Sequence, residues 1–328
     1  MNDLNVQDTL EAYLAGVAIS RSPNTARTYT NAVNAFKASM RDRDLDPATT
    51  DVRKVTENWI VDFARYLSSY SPASERLYLT ALTGWYEYLA AENQAEINLP
   101  RLRLLIRRRA RRAGQRLPQF PRNDIEAILE HANTLGASDD GDERSRLRAL
   151  RDRALLFTLA DTGLRVHEAV GMRRGDIDWN EGRAILIGKG NREAVVRFSS
   201  RTLRYLKAYL DCRSMLDGAS GRPMGALPMF TRHDKGAGKR VLPISTTTAR
   251  SIVHTRALEA LGERQSAVIT PHSFRHYFVT TVLRGSGGNL KLAQELARHR
   301  SIAVTQRYAH LSDNELDRGY HEIFEDKQ

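Results

Sequence analysis

A break near residue 115 constrains this chain more than any other feature. The segment "RLRLLIRRRARRAGQRLPQFP" opens with leucines and arginines and ends in Gly114, Pro118 and Pro121. Proline lacks the N–H a helix needs and pushes the residue before it towards extended backbone, so no helix continues through this stretch. A chain of 328 residues allows two domains of ordinary size. The break predicts a first domain over residues 1–112, a basic linker over 113–120 and a second domain over 121–328.

The two sides differ in periodicity. In "RSPNTARTYTNAVNAF", Ser22, Asn24 or Thr25 can cap a helix, and Tyr29, Val33 and Phe36 then share one face. "SERLYLTALTGWYEYLAAEN" repeats the pattern with Leu79, Leu82, Tyr86 and Leu89. No convincing strand alternation precedes residue 120. Beyond the break, "RNDIEAILEHANTLG", "RALRDRALLFTLADTG" and "TTTARSIVHTRALEALG" read as helices, the second ending at Gly163. "RAILIGKGNREAVVRF" is different: two β-rich runs flank "GKGN", which predicts a hairpin. Thr270 can cap a later helix with Pro271 in its first turn. The expected fold class is mainly α with a small antiparallel β-sheet.

Composition narrows the function. Fifty Lys and Arg against 39 Asp and Glu give a formal charge of +11, which favours a polyanionic partner. Seven arginines crowd residues 101–112: Arg101, Arg103, Arg107, Arg108, Arg109, Arg111 and Arg112. Such a run is either a solvated helix face or a set of phosphate contacts, and its place in a basic protein favours the second. The lone Cys212 permits no intrachain disulfide and no thiolate metal cluster, which fits a reducing cytoplasm. The N-terminal "MNDLNVQDTLEAYLAG" has no apolar core and does not read as a secretory signal. No stretch approaches the roughly 18 apolar residues of a membrane span. The phosphate loop G-x-x-x-x-G-K-[ST] is absent, so ATP is not implied.

Four clusters could carry chemistry. "TGLRVHEAVGMRRGDID" holds Arg165 and, three residues on, Glu168. Lys189 stands at the hairpin tip. "TPHSFRHYF" places His272, Arg275 and His276 on one helical face. "LARHRSIAVTQRYAH" sets His299 nine residues before Tyr308. Taken singly, each has an ordinary explanation. Arg165 can pair with Glu168 on the surface, a hairpin-tip lysine is usually solvated, and Tyr308 can pack its ring. His272 and His276 could bind a metal, but no third ligand stands near them in the sequence.

Jointly, the blocks "TGLRVHEAVGMRRGDID", "IGKGNREAVV", "TPHSFRHYFVT" and "HRSIAVTQRYAH" resemble the tyrosine recombinase, or phage integrase, family. The helical first half, with "SPNTARTYTNAVNAF", is similar to that family's SAM-like core-binding domain. The resemblance implies a C-shaped, two-domain clamp on duplex DNA and a homo-tetramer in the recombination synapse, with accessory DNA-binding proteins as further partners. It implies Tyr308 as nucleophile, Arg165 and Arg275 as phosphate ligands and His299 as a phosphate hydrogen-bond donor. His272 is then the general base, Lys189 the general acid, and Glu168 and His276 supporting residues. No metal or cofactor is implied.

The physical chemistry agrees. Attack on a phosphodiester spreads charge over its oxygens, which arginines stabilise. A tyrosine with an ordinary pKa of about 10 needs help losing its proton. Two departures from the family stand out. The usual Leu-Gly-His reads Ala297-Arg298-His299 here, so Arg298 brings a cation that could alter the turn or touch DNA, and His167 replaces a residue that is commonly small. The C-terminal "AHLSDNELDRGYHEIFEDKQ", with Leu316, Tyr320 and Phe324, could dock on a neighbouring protomer or pack on its own domain. Other readings are a non-cleaving DNA-binding protein on the same fold and a type IB topoisomerase-like enzyme. A metal-dependent nuclease needs clustered carboxylates, and no convincing set is present.

Overall fold

A computed structural model describes residues 4–109, 122–136, 142–188, 192–299 and 301–306. The chain divides into two compact units, Met1–Arg116 and Leu117–Gln328. The expected linker, with Arg111 and Arg112 before it, lies outside the described residues.

The first unit contains α1 (Val6–Ser20), α2 (Pro23–Arg41), α3 (Asn58–Tyr66), α4 (Pro72–Ala91) and α5 (Leu99–Arg109). Of the three candidate caps, Ser22 starts α2: its hydroxyl accepts from the Thr25 N–H at 3.3 Å, and Pro23 occupies the first turn. Val33 and Phe36 are buried, and Tyr29 packs at the edge of the same core. The α4 stripe of Leu79, Leu82, Tyr86 and Leu89 is buried as its spacing predicts. Phe36 meets Phe63 edge-on at 5.3 Å and Trp85 at 5.5 Å between ring centroids. Truncating one such ring to alanine costs about 3–5 kcal/mol. Helix α5 packs on α3 and α4. Its first arginines are drawn back onto this unit: Arg101 pairs with Glu57 at 3.0 Å and Arg103 with Glu87 at 2.8 Å. Arg107, Arg108 and Arg109 are exposed.

The second unit runs α6 (Arg122–Thr134), α7 (Glu143–Thr162), α8 (Val166–Gly171), β1 (Ile177–Asp178), β2 (Arg183–Gly188), β3 (Arg192–Arg197), α9 (Ser200–Cys212) and α10 (Ser214–Gly218). It continues with α11 (Thr246–Leu261), α12 (Glu263–Ser266), α13 (Pro271–Gly285), α14 (Leu290–Ala297) and α15 (Ile302–Gln306). Helix α7 is the central element. Residues 154–160 are all buried, because α6, α9 and α13 pack around it. The expected hairpin forms as β2 and β3, antiparallel with Ile185 opposite Val195, and β1 completes a three-stranded sheet. Its turn, residues 189–191, lies outside the described residues. Buried Asp152 accepts from both Arg151 and Arg256 at 2.7 Å, which ties α7 to α11. Helix α11 packs in turn against α8, the helix that follows Arg165. Among the described residues, no helix is long and apolar enough to cross a membrane.

Candidate active site

The site begins where α7 stops. Gly163 takes φ 59° and ψ 22°, the left-handed conformation that glycine adopts without steric cost. A Cβ at this position would lie 2.4 Å from Cδ1 of Phe278. The turn delivers Arg165 to the start of α8, where its own side chain cannot accept a capping bond. Glu168 supplies the missing function. Its Oε2 accepts from the Arg165 backbone N–H at 2.9 Å, and its Oε1 accepts from Arg165 Nη1 at 3.0 Å. Burial pushes the Glu168 carboxyl up. The bond from the Arg165 N–H and the charges of Arg298 and Arg165 outweigh it and hold the group below the usual range. The Arg165 side chain remains 43% exposed.

Helix α13 brings the second group. Thr270 precedes it with Pro271 at the first position, and the Thr270 N–H donates to the Ser273 hydroxyl at 3.1 Å. Arg275 is 3% exposed. Its Nη1 donates to the Gly163 carbonyl and its Nη2 to the Ala297 carbonyl. One helical turn separates His272 and His276, whose rings meet edge to face at 4.3 Å. Burial, with the His272 and Arg275 charges, pushes His276 down to about 4. His272 moves the same way, through burial and the Arg275 and Arg165 charges. Both imidazoles are therefore neutral near pH 7.

Helix α14 closes the cluster with a Schellman turn. The Arg298 N–H donates to the Glu295 carbonyl and the His299 N–H to the Gln294 carbonyl, each at 3.0 Å. Arg298 takes the left-handed position, φ 56°, so the turn that glycine usually forms is kept. Its side chain is 13% exposed and reaches Glu168 Oε2 at 3.1 Å. His299 Nδ1 lies 2.9 Å from the Thr305 hydroxyl of α15. Thr305 is fully buried. Burial and the Arg275 and Arg165 charges bring His299 down to about 4.

Arg165, Glu168, His272, Arg275, His276, Arg298 and His299 thus converge from three stretches of sequence. Lys189 and Tyr308 lie outside the described residues. Arg298, expected from the sequence as a cation that could alter the turn or touch DNA, pairs with Glu168. Thr305 was not singled out from the sequence, where nothing distinguishes a threonine three residues before Tyr308. Among the described residues, no group of three or more His, Cys, Asp or Glu side chains could hold a metal. The arrangement sets neutral imidazoles among fixed guanidinium groups, which suits binding an anion and moving a proton beside it.

Comparison with known proteins identifies the class as that of the strand-transferring tyrosine recombinases. Residues 119–315 match the family model of the phage integrase family, and the chain belongs to that family. Its activity is site-specific recombination. It is similar to tyrosine recombinase XerD of Chlorobaculum tepidum, 30% identical over 322 residues, covering 96% of this chain and 95% of that protein. It is also similar to tyrosine recombinase XerC of Treponema denticola, 27% identical over 323 residues, covering 96% and 98%. Among solved structures, a XerH site-specific recombinase bound to difH substrate in a pre-cleavage complex matches with a TM-score of 0.67 and 17% identity, covering 99% of this chain and 98% of that one. A lambda integrase dimer bound to a COC′ core site matches with a TM-score of 0.63 and 18% identity, covering 94% and 78%. At these identities the structural matches speak for the fold.

Proposed function

We propose that the protein cleaves and rejoins duplex DNA through Tyr308, forming a 3′-phosphotyrosine and releasing a 5′-hydroxyl. The Tyr308 oxygen attacks phosphorus, the bond to the 5′-oxygen breaks, and Lys189 donates the proton that the leaving oxygen takes up. His272 accepts the Tyr308 proton. A 5′-hydroxyl from the partner strand then attacks the phosphotyrosine and restores a phosphodiester. The bond energy is conserved, so no nucleotide is consumed. The developing oxyanion is met by Arg165, Arg275 and His299. A Thr305 hydroxyl that donates to Nδ1 of His299 leaves the ring proton on Nε2, the tautomer that can donate to a phosphate oxygen.

The observation that carries this reading is the meeting of Arg165, Arg275 and His299 around two backbone carbonyls. Arg275 grips Gly163 and Ala297 at once, so residues 112 and 22 positions away along the chain are held in one place. In this reading both units contact the duplex, and four protomers act on two sites. XerH and lambda integrase, the structural relatives named above, were solved on DNA.

The test is covalent capture on a library of nicked duplexes with randomised arms, in buffer containing EDTA. A wild-type adduct that maps to Tyr308, and that Tyr308→Phe does not form while still binding the selected duplex, supports the reading. Strand cleavage by Tyr308→Phe would remove Tyr308 as nucleophile. Relaxation of a plasmid that lacks the selected site would point to topoisomerase-like activity instead.

A further inference from the structure

We infer that Arg298 is a positioning residue for strand cleavage, fixing the Arg165 guanidinium through the Glu168 carboxylate. The inference rests on the reading of Arg165 as a phosphate ligand. It starts from a residue that its own turn does not explain. Arg298 adopts φ 56° and ψ 45°, a left-handed conformation that strains an L-residue and costs glycine almost nothing. The backbone bonds that close the turn involve no side chain, so glycine would form it more easily.

The far end of the side chain supplies the reason. Arg298 and Glu168 lie 130 residues apart in sequence, both side chains are 13% exposed, and Nη2 meets Oε2 at 3.1 Å. The same Oε2 accepts from the Arg165 N–H, and Oε1 accepts from Arg165 Nη1. Without Arg298, these bonds hold Glu168 only to Arg165, and the pair can shift together. A second cation on a different helix end anchors the carboxylate independently, and with it the Arg165 fork. The anchor also balances charge. A carboxylate paired with Arg165 alone offsets the positive field that an oxyanion needs. Shared between two guanidinium groups, it leaves a net positive site. The loop that carries Arg298 also carries His299, and its preceding carbonyl is held by Arg275. The ion pair therefore joins the Arg165 segment to the His299 segment by a route separate from Arg275.

The experiment uses the full-length protein and the duplex selected with wild type. Arg298→Gly, Arg298→Lys, Glu168→Gln and the double variant Arg298→Gly with Glu168→Gln are compared for cleavage rate, DNA affinity and Tm. Arg298→Gly is expected to keep or raise Tm, to bind DNA as before, and to cleave about 10- to 100-fold more slowly, the scale of a catalytic group displaced by up to an ångström. Arg298→Lys should recover part of the rate. In the Glu168→Gln background, Arg298→Gly should add little, because the carboxylate through which it acts is gone. Wild-type cleavage by Arg298→Gly overturns the inference. So does a rate loss that merely follows a fall in Tm, or full additivity in the double variant. Failure of wild type to form an adduct on any duplex would instead overturn the cleavage reading itself.

Discussion

Arg275 donates to the carbonyl of Ala297, the last residue of α14. A second bond, to Gly163, closes the end of α7. One side chain thus sets the distance between the turns that present Arg165 and His299. Lysine carries the charge but lacks the fork that serves two carbonyls at once. Arg275→Lys is expected to lose covalent capture and also stability. An unpaired buried carbonyl costs about 1–3 kcal/mol, and each kcal/mol shifts Tm by about 2–4 °C in a domain of this size. Differential scanning fluorimetry checks this, with Arg165→Lys as the comparison, since Arg165 is exposed and should alter capture alone. An unchanged Tm in Arg275→Lys would show that the two carbonyls do not need their donor.

Gly163→Ala should be costly at once for two reasons. The left-handed φ penalises any Cβ, and that Cβ would meet the Phe278 ring at 2.4 Å. Overpacking of this kind typically costs about 1–3 kcal/mol, in addition to the backbone strain. Gly171→Ala is the control: a Cβ there meets nothing within 4 Å. Urea denaturation should show the first variant clearly less stable than wild type and the second close to it.

Much of this arrangement could be read from the sequence. The spacing of His272, Arg275 and His276 puts them on one helical face, and Gly163 is the stop signal at the end of α7. The stripes through Val33 and Phe36, and through Leu79, Leu82, Tyr86 and Leu89, are buried as local periodicity requires. What could not be read is non-local. No local rule says that an arginine on α13 will spend its donors on carbonyls 112 and 22 residues away. Nor does one say that Arg298 will turn inwards to Glu168 or that Thr305 will meet His299. The run from Arg101 to Arg112 reads as one basic patch, yet Arg101 and Arg103 are folded back onto Glu57 and Glu87 because α5 packs on α3 and α4.

The divided arginine run gives a salt-dependence prediction. Replacing exposed Arg107, Arg108 and Arg109 by alanine should weaken DNA binding. The slope of log K against log salt should flatten by about 0.9 for each phosphate that is no longer neutralised. Arg101→Ala should act differently. It leaves Glu57, 6% exposed, without its guanidinium, so stability should fall while the salt slope stays near wild type. Fluorescence anisotropy across a salt series, with Tm measured alongside, separates the two. Equal slope changes in both variants would mean the run acts as one surface.

Stability should fall as pH drops from about 6.5 towards 4. His276 and His299 are held down to about 4, and His233, buried against the Tyr209 hydroxyl at 2.8 Å, to about 3. The unfolded chain therefore binds more protons across this window, with an ordinary histidine pKa of about 6.5, and acid favours unfolding. Above pH 7 these groups are neutral in both states and contribute no slope. Urea midpoints from pH 7.5 to 4.5 check the prediction, and His276→Gln should make the decline shallower. A flat profile would mean that the three rings gain protons in the folded protein as easily as in the unfolded chain.

Thr305→Val removes one hydroxyl from a fully buried position and keeps its shape. DNA affinity should hold, whereas capture should slow, because His299 loses the hydroxyl 2.9 Å from its Nδ1, which in the proposed mechanism keeps the ring proton on Nε2. A mass-spectrometric time course of adduct formation reads the rate directly.

That hydroxyl has a wider meaning. Thr305 sits on α15, the helix from which the chain runs on towards Tyr308, and His299 sits on the turn before it. In the proposed mechanism, where Tyr308 is the nucleophile, a shift of α15 would also part the Thr305 hydroxyl from His299. The two components fail together, as in an interlock where opening one switch disables the second. On that mechanism, a protomer in which this helix moved would be silenced twice by a single displacement.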